Sequence, residues 1–365
     1  MTDMPEVPIN LQAGIPVESF REVYMELLYS PDGPDATAGS AINLLAKASG
    51  YFYEVNEQQY LVTARHCFTG QHWETDEWLS KSYTVAPTHV AIGFRSAMPD
   101  GGYKQGQTVA IQQFLIKLID EAWQPVWLEH PRYGASVDAA AIPFKISEGH
   151  GDLIIESWNA NDAGTRDLAT RLWVSQNIAV VGYPYGLRGS FDLPIWTAGS
   201  VSSEPAMLQP YRDRAYPFFL IDARTRSGQS GSPVVSVRQP MSPSVITEGK
   251  VQFSTCPQWR LVGVYGGRVP ENYGDREGSI VGANGPQAEI DVDGGEIDSA
   301  NCGFKPTGSE RRTSSSDLGF AWRIEEVTEI CEKGVPGGTG PKNIDPGSAP
   351  PRLLGQPLSN RGEIL

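Results

Sequence analysis

The sharpest chemical feature of the chain is RSGQSGSPVV at 226–235, a glycine-rich turn leading into an apolar, β-prone run. Gly228 permits a tight backbone turn, so the N–H groups of Gly228 and Ser230 can converge on one point. Such a turn suits a serine nucleophile with an oxyanion hole; a plain Gly/Ser connection between two strands is the competing reading. A serine needs a base to become a useful nucleophile. Among five histidines, His66 closes the β-prone run of YLVTARHCF, where a rigid strand end can aim an imidazole. His72, His89, His130 and His150 have no comparable setting. The base in turn needs an orienting carboxylate. Asp138, within ASVDAAAIPF, stands among small and apolar residues, where a buried carboxylate must find a partner. Asp152, in GHGDLIIESW, has the look of a turn or helix cap and is the weaker candidate.

The elements that would hold these groups are mostly strands. The first series is Tyr51–Val55, Tyr60–Ala64, His89–Phe94, Thr108–Leu115, Pro125–Leu128 and Ala139–Phe144; YFYEV-NEQQ-YLVTA within it reads as a hairpin. The second is Ile178–Tyr183, Ile195–Val201, Phe218–Ala223, Pro233–Val237 and Arg260–Tyr265. Two sets with little helix between them predict two packed barrels or sandwiches. Helical spacing of Val17, Phe20, Val23, Tyr24, Leu27 and Leu28 predicts an amphipathic helix over 17–29, and FAWRIEEVTEICEK predicts a closing helix. Between these lies an acidic, Gly-rich insertion at about 269–316. Its Glu289, Asp291, Asp293, Glu296 and Asp298 miss the calcium-loop template, which needs glycine where Glu296 stands. The Gly/Pro-rich tail 334–365 is expected to be disordered.

Composition narrows the function. The chain has 365 residues, 40% of them hydrophobic, enough for a sizeable core. Its formal charge of −14 argues against nucleic acid and anionic membranes as partners. There is no apolar run long enough for a spanning helix, and MTDMPEVPINLQAG lacks the basic start and apolar core of a signal peptide. Four cysteines without a CxxC pair fit neither a disulfide scaffold nor a zinc ribbon. The expectation is a cytoplasmic protein with reduced thiols and no metal or other cofactor.

YLVTARHC, VDAAAIPF and SGQSGSPVV, in that order, resemble the histidine, aspartate and nucleophile motifs of the trypsin-like (chymotrypsin-fold) serine peptidases. IAVVGYPYGL, DLPIWTAGSVSSEP and RLVGVYGGR resemble further segments of an intracellular, bacterial-type branch, and the likeness runs over about 45–333 outside the insertion. The resemblance implies an all-β fold of two six-stranded antiparallel barrels, here with an N-terminal and a C-terminal helix. The division would be a 1–44 extension, a first barrel at 45–155 with His66 and Asp138, a second at 156–333 with Ser230, and the tail. It implies a serine endopeptidase acting on protein or peptide substrates through His66, Asp138 and Ser230. The oxyanion hole would be made by Gly228 and Ser230.

The same likeness assigns substrate contacts to Arg224, Tyr265, Gly266 and Gly267. Arg224 stands at the pocket-floor position: turned inward it would favour acidic side chains, turned outward it would not. Gln229 replaces the aspartate that pairs with a newly cut N-terminus in zymogen-activated members, so cleavage near the N-terminus is not expected to be the switch. Cys67 lacks the cysteine that extracellular members place about 16 residues earlier, so it is expected to be a free thiol. A regulatory protein partner, the N-terminal helix and the insertion are candidate controls. The rival readings are a catalytically silent protease-like binding module and an esterase using the same three residues.

Overall fold

The two series of strands form, but they close differently. The computed structural model describes residues 15–36, 40–80, 84–96, 111–145, 153–161, 172–211, 214–239, 243–247, 250–253, 257–270 and 315–338. The first group comprises β1 (Glu22–Tyr29), β2 (Asn43–Val55), β3 (Gln58–Thr63), β4 (His89–Ser96), β5 (Ile111–Lys117), β6 (Leu128–Glu129), β7 (Ala140–Phe144), β8 (Leu153–Ile154) and β9 (Trp158–Asn159). The second comprises β10 (Asn177–Gly182), β11 (Ile195–Val201), β12 (Gln209–Tyr211), β13 (Arg214–Tyr216), β14 (Phe218–Ala223), β15 (Pro233–Arg238), β16 (Pro243–Thr247), β17 (Lys250–Phe253), β18 (Gln258–Pro270) and β19 (Ser315–Arg323). A last strand, β20 (Val335–Pro336), returns to the first group.

In the second group β10-β11-β14-β19-β18-β15 closes into a six-stranded barrel. The first group is an open ten-stranded sheet in the order β20-β6-β7-β3-β2-β1-β4-β5, with β8 on β4 and β9 on β2. The expected pair of closed six-stranded barrels is thus one barrel and one curved sheet among the described residues. The hairpin of β2 and β3 has the two-residue turn Asn56–Glu57, both at positive φ (51° and 66°), which matches the twist of the flanking strands.

The N-terminal helix is a correction. Val17–Phe20 is a short 3-10 turn and Glu22–Tyr29 is strand β1, lying antiparallel between β2 and β4. Val23, Met25 and Leu27 alternate into the core, so period two won over the helical spacing. The two flanking strands also satisfy its backbone groups on both sides, which a helix packed there could not do for them.

The closing helix forms as α2 (Ile324–Lys333); Ile324, Val327, Ile330 and Cys331 are buried, while Phe320 belongs to β19. The largest core cluster runs from the β2/β3 hairpin through the barrel to α2. Trp73 lies in it against Tyr211, Tyr216, Phe320 and Trp322. The insertion from 271 to 314 with its five acids, the tail from 339, Cys256, Cys302, His150 and Asp152 lie outside the described residues. Gly334–Gly338 of the tail is described and includes β20, which pairs with β6. No helix among the described residues is long and apolar enough to cross a membrane.

Candidate active site

His66 is carried on α1 (Arg65–Thr69), a single turn that follows β3 directly and ends at Gly70 in the left-handed region. Arg65 anchors that turn by donating Nε to Glu129 Oε1 at 2.8 Å, a fully buried ion pair. Asp138 sits just before β7 and is 0% exposed. Its two oxygens take two hydrogens from one residue: the His66 backbone N–H reaches Oδ1 at 2.8 Å, and His66 Nδ1 lies 2.7 Å from Oδ2. The carboxylate can only accept there, so Nδ1 carries the hydrogen and Nε2 keeps a lone pair. Burial pushes the imidazole pKa down, but the Asp138 charge, with Cys67, holds it well above the ordinary histidine value.

Ser230 lies on a loop fixed from both strand groups. Its carbonyl accepts the Ser49 N–H from β2 at 3.0 Å, and the next amide, Gly231, donates to Tyr265 O on β18 at 2.9 Å. Ser49 Oγ donates to Gly228 O at 2.8 Å and accepts the Tyr183 N–H at 3.0 Å. The Ser227 carbonyl accepts the Tyr185 N–H at 2.6 Å. In a trans peptide the C=O and the following N–H point opposite ways, so this bond turns the Gly228 N–H away from Tyr185. Neither the Gly228 nor the Ser230 amide donates to a protein acceptor among the described residues. Gly228 has φ +92°, and a Cβ there would lie 2.6 Å from Tyr183 O, so only glycine fits. His66, Gly228 and Ser230 line one cavity of about 220 Å³.

The family model of the trypsin-like peptidase domain matches residues 48–239, just over half of the chain and a span that includes His66, Asp138 and Ser230. The chain belongs to the trypsin-like peptidases. No curated protein matches the sequence. Among solved structures, a variant of the HtrA-type protease AlgW with a tripeptide aligns at 11% identity and TM-score 0.37, over 86% of this chain and 60% of that one. The chain therefore spans three fifths of that protein's length. The Rv3671c protease of M. tuberculosis aligns in its active form at 12% identity and TM-score 0.37, over 93% and 96% of the two chains. Its inactive form aligns at 12% and 0.36, over 87% and 92%.

As a trypsin-like peptidase the chain has its own features around the nucleophile. Gln229 is 0% exposed; its Nε2 donates to Thr197 Oγ1 at 3.0 Å and its Oε1 accepts the Arg226 N–H at 2.8 Å. The neutral side chain thus holds the loop with local partners alone. Cys67 is a free, buried thiol 3.9 Å from Ser230 O. Of the substrate contacts inferred from sequence, Arg224 is exposed. Tyr265 is 2% exposed and its hydroxyl meets Thr225 Oγ1 at 2.5 Å; burial pushes the phenol pKa up to about 12. Gly266 and Gly267 lie next to it on β18, past the end of the β15 pairing at Pro233–Val264. None of these four lines the cavity.

Sequence reasoning missed His130. It is fully buried, with Nε2 3.0 Å from Glu326 Oε2 and 3.6 Å from Glu329 Oε2 on α2; Arg132 adds a 2.6 Å ion pair to Glu329. The three ligand-type atoms are close enough to hold a cation. However, His130 Nδ1 accepts the backbone N–H groups of Arg132 and Tyr133 at 3.2 Å. Nε2 therefore carries the hydrogen and donates it to the carboxylates, leaving no lone pair for a metal. The cluster clamps α2 to the first sheet. Only the structure brings its members together, since 196 residues separate His130 from Glu326.

Proposed function

We propose that the chain is a serine endopeptidase that cuts peptide bonds through an acyl-enzyme on Ser230. Ser230 Oγ attacks the scissile carbonyl carbon while His66 Nε2 takes its proton. Asp138 holds the imidazole in the required tautomer and stabilises its charged form. The negative charge on the substrate oxygen would fall between the Gly228 and Ser230 N–H groups, neither of which donates to a protein acceptor among the described residues. The C–N bond then breaks, and His66 returns the proton to the departing amine. A water molecule, deprotonated by the same Nε2, attacks the ester carbon and frees Ser230 and the acid product. The substrate segment before the bond would add as a strand along Gly266 and Gly267, past the last β15–β18 pair at Pro233–Val264.

The observation that carries this reading is the double acceptance by Asp138 from His66, with His66 and Ser230 facing one cavity. The loop needs no charged N-terminus to hold it, since Gln229 bonds within its own surroundings. Digestion of a mixed peptide library, read by mass spectrometry, tests the proposal. Wild type should cut internal bonds, and Ser230→Ala and His66→Ala should each abolish cutting while remaining folded. Ester turnover without any peptide product would support the esterase instead.

A further inference from the structure

The cavity beside Ser230 has a direction. Its walls come from β1, β2 and α1, from Leu79, Ser80, Val85 and Pro87, and from Ser227, Gly228 and Ser230; no residue of β18 contributes. If the proposed mechanism holds, the acyl half of the substrate lies along β18, so the cavity lies on the leaving-group side of the nucleophile. His66, which must protonate the departing amine, is part of its wall.

The two sides differ in character. On the acyl side, the buried Tyr265 ring is tied to Thr225 across the region expected to take the side chain before the bond. Behind it, a Cβ on Gly319 would approach Tyr265 Cε2 to 2.7 Å, so the ring is packed closely in place. On the leaving-group side, the lining includes Leu27, Leu45, Leu79, Val85 and Pro87, with exposed Lys47 and the His66 imidazole as its ionisable members. Its 220 Å³ exceeds the roughly 150 Å³ apolar cavity that takes up benzene.

We infer that this cavity receives the side chain of the residue that follows the scissile bond, and that an apolar residue at that position governs which peptides are cut. The inference rests on the peptidase reading above and adds to it the side on which selection occurs. An apolar side chain there displaces water from Leu79 and Val85. A charged side chain would lose its hydration among the apolar residues, and a lysine would in addition meet Lys47.

The test is a series of internally quenched peptides that differ only in the residue after the bond: Leu, Phe, Gly, Asp or Lys. A second series varies the residue before it. The expected result is a kcat/KM for Leu or Phe at least about tenfold above Gly, with Asp below Gly and Lys poorest, since a single methylene in an apolar pocket is worth about tenfold or more. The spread across the second series should be smaller. Leu79→Asp and Val85→Asp should each shrink the Leu-to-Gly ratio. Leu79 is 52% exposed, so a charge there is compatible with the fold. Wild-type protein is labelled with a fluorophosphonate in parallel. Labelling of Ser230 with equal rates across the first series, or a larger spread in the second, overturns this inference and leaves the peptidase reading intact. Absence of both labelling and cleavage in folded protein overturns the two together.

Discussion

Ser49→Ala is the perturbation that separates a built oxyanion hole from an accidental turn. The Ser49 hydroxyl is buried, donates to Gly228 O at 2.8 Å and accepts the Tyr183 N–H at 3.0 Å. Removing it strands one buried carbonyl and one buried amide, each at a cost of about 1–3 kcal/mol, so stability should fall by about 2–6 kcal/mol. The Gly228–Gln229 peptide would then keep only the Gln229 N–H bond to Arg226 O at 3.2 Å, leaving the adjoining Ser227–Gly228 peptide held by the Tyr185 N–H on Ser227 O. If its N–H swings out of line, one oxyanion donor is lost, and kcat should drop about 10²–10³-fold with little change in KM. Steady-state kinetics on a peptide, with thermal unfolding of the same samples, measure both effects. A variant with a lowered Tm and a kcat within about threefold of wild type would refute the link between Ser49 and the oxyanion hole.

Three further outcomes follow from the geometry. Because Asp138 holds the His66 imidazole well above its ordinary value, and the base must be neutral to act, kcat/KM should rise with pH through a limb centred above about 6.5. Asp138→Asn should move that limb to lower pH and cut kcat by about 10⁴-fold; a wild-type limb at or below the ordinary value would contradict the pairing. Gln229→Ala should free the Arg226 amide and Thr197, loosening the loop and lowering kcat more than it lowers Tm, as compared in one preparation. His130→Ala should cost about 3 kcal/mol by stranding buried carboxylates, read by denaturant unfolding. Burial pushes the Glu329 carboxyl pKa up, but His130 and Arg132 bring it below the ordinary value. Its contribution to stability is therefore in place above about pH 4.3 and is lost as pH falls through the depressed value.

What could be read from sequence was local. His66, Asp138 and Ser230 each announce themselves by their neighbours, and the strands that carry them follow β-prone runs bounded by turn residues. β1 was misread because EVYMELLY satisfies both a helical stripe and a two-residue alternation, and only its placement between β2 and β4 decides. The open first sheet could not be foreseen either, since closure depends on how strand ends meet. The Thr225–Tyr265 contact, the His130 clamp and the cavity are likewise contacts between distant segments. Leu27, Leu79 and Val85 share no motif, and their common surface exists only once they are brought together beside α1.

The central claim is that Ser230 is an activated nucleophile, and covalent labelling addresses it most directly. Folded wild-type protein is treated with a fluorophosphonate and the adduct is mapped by mass spectrometry. The account predicts one adduct, on Ser230, lost in His66→Ala as well as in Ser230→Ala. An unlabelled wild type, or an adduct at another serine, would contradict it.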